Sequence, residues 1–178
     1  MASNNSRKTK LLAISAMLSA LSVVILYLGS VFNMFDLTAV AIVSILMIFA
    51  VEEIKSPYSY AIYGVTGVLS MLLLPDKFAS VTFILVGGVY PLFRPKLEKL
   101  PKLLSFVIKF IYFNAVLSAL IAVTMFVLGI EDDRLGFNIL TYVLSNAVFF
   151  LYDYFVTLLS QLYGRVLRKR LGVNKLMK

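Results

Sequence analysis

Six apolar stretches, separated by short polar joints, occupy almost the whole of this chain. They fall at about 11–30, 37–53, 57–74, 77–93, 103–129 and 137–164. A hydrocarbon core about 30 Å thick is crossed by about 20 helical residues, with a working range of about 17–25. The first, fifth and sixth stretches meet that length outright, and tilt or local bilayer thinning accommodates the other three. In lipid every backbone N–H and C=O must be satisfied within the protein, which leaves helices or a closed barrel. A barrel would show alternating strands of about ten residues rather than continuous apolar blocks. The expected fold class is therefore an all-α membrane protein, with residues 1–178 forming a single integral membrane domain of six transmembrane helices.

Composition agrees, because 61% hydrophobic and 15% charged residues give more apolar surface than a soluble core of this size could hide. The mean hydropathy is +0.93. Arg7, Lys8 and Lys10 before the first stretch could mark a signal peptide. The apolar run is longer than a signal h-region and no small-x-small cleavage site follows it, so it counts as the first helix.

The charges are one-sided. Lys77 and Arg134 lie on one side of the six-helix arrangement, Lys109 falls within the fifth stretch, and the rest of the 17 Lys and Arg lie on the other side. The positive-inside rule then puts both the N- and C-termini in the cytoplasm, with the plasma membrane as the expected location. The opposite face is acidic, carrying Asp36, Asp76, Glu131, Asp132 and Asp133. Insertion alone accounts for the net charge of +8, with contact to anionic lipid as a consequence and no nucleic-acid partner expected.

The chain has no Cys and no His, which excludes thiol chemistry, disulfides, His-ligated haem and the usual zinc ligand sets. The acids are scattered or in joints, and Asp153 is the one Asp inside a span, so a facing pair of aspartates for intramembrane proteolysis is missing. No Gly-x-Ser-x-Gly, P-loop or Rossmann glycine pattern occurs. The expectation is a non-enzyme, without catalytic residues, metal or cofactor.

Small residues come next. Ala13, Ala16 and Ala20 lie along one side of the first helix, with Ala16 and Ala20 spaced small-xxx-small. Lipid tails are as apolar as Leu, so membrane helices associate by close packing, which small residues permit. Such a face serves either a partner or an internal helix contact. Gly64 with Gly67, and Gly87 with Gly88, read as internal packing.

Length, six helices, cytoplasmic termini and a basic opening followed by Ala16-x-x-x-Ala20 together resemble the S component of an energy-coupling factor (ECF) vitamin transporter. The resemblance implies a substrate-binding subunit that takes a small, vitamin-like solute at the outer face. It implies that Ala13, Ala16 and Ala20 dock onto a transmembrane coupling subunit driven by two cytoplasmic ATPases. It also implies a ligand cavity in the outer parts of helices 4 to 6, lidded by the loop between helices 1 and 2. The lack of a P-loop fits a subunit that hydrolyses nothing itself. The alternative from another class is a non-transporting membrane scaffold of the MreD cell-shape type, which shares a broadly similar six-helix layout.

Carried onto this chain, the lid is Val31 to Asp36, where Asn33 and Asp36 could hydrogen-bond a ligand. Asp36 could equally cap the second helix. Lys77 could meet an anionic group of the ligand or pair with Asp76. Asn114 and Asn146 lie inside spans, where polar side chains are costly enough to be informative, and either a ligand or an interhelical hydrogen bond accounts for them. Lys109 and Asp153 can form a buried pair with a structural or conformational role, the competing account being that Lys109 snorkels to the inner surface.

Overall fold

The computed structural model describes residues 2–32, 35–54, 56–127 and 139–162. Asn33 of the expected lid, the acidic Glu131 to Asp133 and the basic residues from Arg165 onward lie outside the described residues. Among the described residues the chain is helical throughout, with no strand: α1 (Ala2–Val31), α2 (Asp36–Phe49), α3 (Tyr58–Leu73), α4 (Lys77–Thr82), α5 (Val89–Leu97), α6 (Lys102–Ala122) and α7 (Ile139–Leu162). Wider π-helical turns prolong α2 over Ala50–Ile54 and α6 over Val123–Val127, and a third, Phe83–Gly87, joins α4 to α5.

Five helices are long and apolar enough to cross a membrane: Arg7–Val31, Asp36–Ile54, Lys77–Leu97, Lys102–Phe126 and Ile139–Gln161. The third apolar stretch is the exception. Its helix α3 has 16 residues, about 24 Å at 1.5 Å per residue, which falls short of a hydrocarbon core of about 30 Å. Proline stops it. Leu74 precedes Pro75 and takes extended backbone, φ −71° and ψ 135°, because the proline ring crowds the helical conformation of the residue before it. Asp76 then caps the next helix, its side chain accepting from the Phe78 N–H at 2.9 Å.

The molecule is inverted relative to a soluble domain. Leu12, Met17, Leu72, Phe126 and Leu151 stand on the exterior, while Ser15, Ser22, Ser44, Ser70, Thr66 and Thr124 are buried. Small hydroxyl residues let helix backbones approach, and several return their protons to the backbone one turn back, as Ser15 Oγ does to the Leu11 carbonyl (2.8 Å) and Thr124 Oγ1 to the Leu120 carbonyl (2.8 Å).

Two cores result. One is built by α1, α2, α3 and the Lys77 end of the α4–α5 span, around Leu26, Val43, Met47, Ile62 and Phe83. The other joins α5 to α6 and α7 around Tyr90, Phe113, Leu117, Ile121 and Phe149. The span Lys77–Leu97 belongs to both.

Candidate functional site

The shared span is broken by its own sequence. Pro91 has no N–H to offer the Gly87 carbonyl one turn back, and the π turn before it misaligns further carbonyls. Neighbouring helices supply the missing donors: Ser44 Oγ of α2 donates to Gly87 O (2.7 Å), Tyr63 Oη of α3 to Ile84 O (3.0 Å) and Tyr112 Oη of α6 to Leu85 O (3.0 Å). Non-regular backbone at membrane depth survives only where protein re-satisfies it, and π turns inside helices are frequent at functional sites. The glycines there are required by space. A Cβ on Gly87 would stand 2.6 Å from Val40 Cγ1 and 3.0 Å from Ser44 Oγ, and one on Gly88 would stand 2.5 Å from Tyr63 Cδ2.

Beside this turn, in the seam between the two cores, lies a cavity of about 330 Å³, at the small end of the range of about 300–1,000 Å³ for small-molecule sites. Leu37, Phe78, Leu120 and Leu144 line it toward the Asp76 end of the bundle. Ser44, Gly87, Phe113, Phe149 and Tyr152 line it at depth, with Thr82 between. Among the described residues, no Lys, Arg, Asp or Glu lines it. Among the described residues, the buried Thr82 Oγ1 has no hydrogen-bond partner, at a cost of about 1–3 kcal/mol for such a group, and the buried Tyr152 Oη, beside the Ser44 hydroxyl, makes no hydrogen bond of good geometry.

Below the cavity floor, three helices meet on one carboxylate. Lys109 Nζ donates to both oxygens of Asp153 (2.9 and 2.8 Å), and the fully buried Tyr90 donates its hydroxyl to the same carboxylate. Lys109 is itself buried, so it is held by Asp153 and not extended to a surface. Arg94, one turn beyond Tyr90, is 4% exposed and pairs with Glu98 (2.5 Å). Ser160 of α7 donates to Glu52 in the π turn after α2.

The remaining expected site residues take structural places. Asn114 and Asn146 bond each other reciprocally at 3.0 Å in both directions, each also donating to a carbonyl of its own helix. Ser118 and Tyr142, one turn nearer the Asp76 end, form a further α6–α7 hydrogen bond (2.8 Å). Neither Asn lines the cavity. Lys77 turns back onto α3, donating to Met71 O (2.9 Å) and Leu74 O (2.7 Å), and so satisfies helix-end carbonyls instead of pairing with Asp76. Asp36 is buried at the first position of α2, whose N-cap is Phe35 with no side-chain cap, so the expected Asp36 cap is not formed. The Asp76 backbone N–H donates to Ser30 Oγ (3.0 Å), tying the end of α1 to the turn before α4.

Helix α1 carries two stripes of small residues, and they part company. Ser15, Ser19 and Ser22 face inward and are buried, whereas Ala13, Ala16 and Ala20 are exposed. Gly87, Gly88 and Gly67 do meet neighbours, but Gly64 has nothing within 4 Å of a Cβ and corrects the reading of it as a packing glycine.

Sequence reasoning missed Ser44, Thr82, Tyr90 and Tyr152. A signal existed for the broken span, since Gly87-Gly88-x-x-Pro91 writes both a flexible point and a missing donor. Comparison of the chain with protein-family models, with curated proteins and with solved structures found no match in any of the three.

Proposed function

We propose that the chain crosses the plasma membrane six times, with α3 as a short crossing and both termini cytoplasmic. In this reading it binds a small solute on the outer side for an ECF-type importer. The orientation follows from the charge asymmetry, which makes the Asp76 end the outer one. The observation that carries the proposal is the cavity of about 330 Å³ toward that end. A membrane scaffold has no use for a hollow outer half, since every unfilled space forfeits packing. The exposed Ala13, Ala16 and Ala20 stripe supports the second half of the reading. It offers a coupling subunit a close-packing surface on a helix whose other stripe is already occupied. The chain would act without catalysing, leaving ATP hydrolysis to two cytoplasmic partners.

Native mass spectrometry of the full chain purified in mild detergent tests the binding half. The expected result is a retained small molecule, or a rise in Tm with one member of a panel of vitamin-like solutes. Neither signal appearing overturns the solute-binding reading. For the coupling half, Ala16→Trp is expected to abolish co-purification with a coupling subunit while leaving Tm unchanged. Co-purification that survives the substitution removes the assigned interface.

A further inference from the structure

We infer that the occupant of the cavity is a neutral, flat, mainly apolar molecule that presents one or two hydrogen-bond acceptors, such as a ring nitrogen or carbonyl, to the hydroxyls of Thr82 and Tyr152. The inference rests on the proposed solute-binding reading and gives that site its chemistry.

Charge is decided by the lining, which among the described residues holds no Lys, Arg, Asp or Glu. At the deep end, Lys109 and Asp153 are spent on each other, and Tyr90 also donates to Asp153; toward the mouth, Asp36 and Lys77 adjoin the lining residues Leu37 and Phe78 without lining the cavity themselves. An ionic ligand here would lose its hydration without a counter-charge. Shape is decided by the rings: Phe113 and Phe149 stack with centroids 4.2 Å apart and planes 15° apart, and both line the cavity. Phe78 lines the mouth side and Tyr152 the deep side. Aromatic walls of this kind favour a planar partner.

Polarity is decided by the hydroxyls. Of those lining the cavity at depth, Ser44 has its proton committed to Gly87 O (2.7 Å). Among the described residues, the buried Thr82 Oγ1 has no hydrogen-bond partner, and the buried Tyr152 Oη, beside Ser44, makes no hydrogen bond of good geometry. A buried donor left unpaired is the exception in folded proteins and calls for a partner. A hydroxyl always carries a proton to give, so an acceptor on the ligand satisfies both groups. A pure hydrocarbon would leave them as they are.

The test uses four probes of one shape: quinoline, naphthalene, the N-methylquinolinium cation and 2-naphthoate. Affinity of the full-length protein in detergent is read by ligand-detected NMR, and Tm is followed in parallel. Quinoline is expected to bind about tenfold more tightly than naphthalene, the free-energy scale of one buried hydrogen bond. Both charged probes are expected to bind more weakly than quinoline. In the Thr82→Val/Tyr152→Phe protein the quinoline preference is expected to vanish, and the Tm without probe is expected to hold or rise because two unpaired hydroxyls are gone. A Tm that falls shows that the hydroxyls are engaged within the protein and overturns the inference. A wild-type protein without a quinoline preference, or one that prefers an ion, overturns it too. Ala41→Phe, which pushes a ring into the same space, separates this inference from the function beneath it. Binding of every probe should then be lost. Probes that still bind to Ala41→Phe sit elsewhere, and both the inference and the cavity as solute site fall. Loss on Ala41→Phe without discrimination among the probes removes the ligand chemistry alone.

Discussion

The two cores are held together by different means. Around α1 to α3 the contacts are close and small: Gly29 lies against Ala39, the buried serines of α1 face α2 and α3, and Ile84 packs onto Gly67. Around α6 and α7 the contacts are long and polar. Ser118 with Tyr142, Asn114 with Asn146 and Lys109 with Asp153 step along the two antiparallel helices, interleaved with the stacked rings of Phe113 on Phe149 and Phe110 on Phe150. The α4–α5 span is 61% buried within its apolar window, whereas that of α7 is 11% buried. One is therefore an axle and the other an outer stave. Membrane helices lack a hydrophobic drive toward each other, so they associate by close packing or by hydrogen bonds. This molecule uses the first on one side and the second on the other, and its cavity lies where the two meet.

That contrast can be broken most forcefully at the carboxylate shared by three helices. Asp153→Ala leaves Lys109 buried without its counter-charge and should cost about 3–5 kcal/mol, seen as a large fall in Tm in detergent. The paired replacement Lys109→Met with Asp153→Leu should recover most of the loss, because two apolar chains replace two compensated ions. Failure of the pair to recover would mean that Tyr90 needs the carboxylate for itself.

On the axle, Gly87→Ala should destabilise by about 1–3 kcal/mol through overpacking, given a new Cβ 2.6 Å from Val40 Cγ1. Ser44→Ala probes the same turn without adding bulk. It leaves the Gly87 carbonyl, already short of a donor because of Pro91, without its hydroxyl, and should cost about 1–3 kcal/mol by denaturant titration. A neutral result at both positions would show that the π turn is not braced by α2.

The polar ladder of the outer staves should respond more mildly. Replacing Asn114 and Asn146 together by Leu should change stability by roughly 0.6–2 kcal/mol, the scale of interhelical hydrogen bonds in membranes. An effect on solute retention larger than on Tm would return the pair to the binding site. Gly64→Ala should be smallest, within about 0.5 kcal/mol of neutral, since nothing stands within 4 Å of the added methyl. Its Tm provides the baseline against which Gly87→Ala is read.

Some of this was legible beforehand. Lys109 and Asp153 stood out because an ion inside an apolar run is expensive enough to demand a partner, and their positions on successive antiparallel helices put them at one depth. The hydroxyls did not stand out. Serine, threonine and tyrosine are tolerated throughout membrane helices, so nothing in the order of residues separates Ser44, which bonds a broken backbone, from Ser15, which bonds its own helix. Lys77 misled for a related reason: a basic side chain near an acidic neighbour suggests an ion pair, yet free carbonyls at the end of α3 were closer to hand.

The sequence by itself determined the class of molecule, an all-helical chain with apolar segments of membrane-crossing length, because the length and apolarity of a segment are local and additive properties. It also determined where helices end, through Pro75 and Asp76, since capping and proline crowding act within a few residues. Only the tertiary structure decided which small-residue stripe of α1 turns inward, that Asn114 and Asn146 spend their amides on each other, and that a cavity with two unanswered hydroxyls opens beside the broken span. Each of those depends on which side chain of a distant helix arrives at a given depth and rotation. That is a property of packed pairs, which no single stretch of the chain contains.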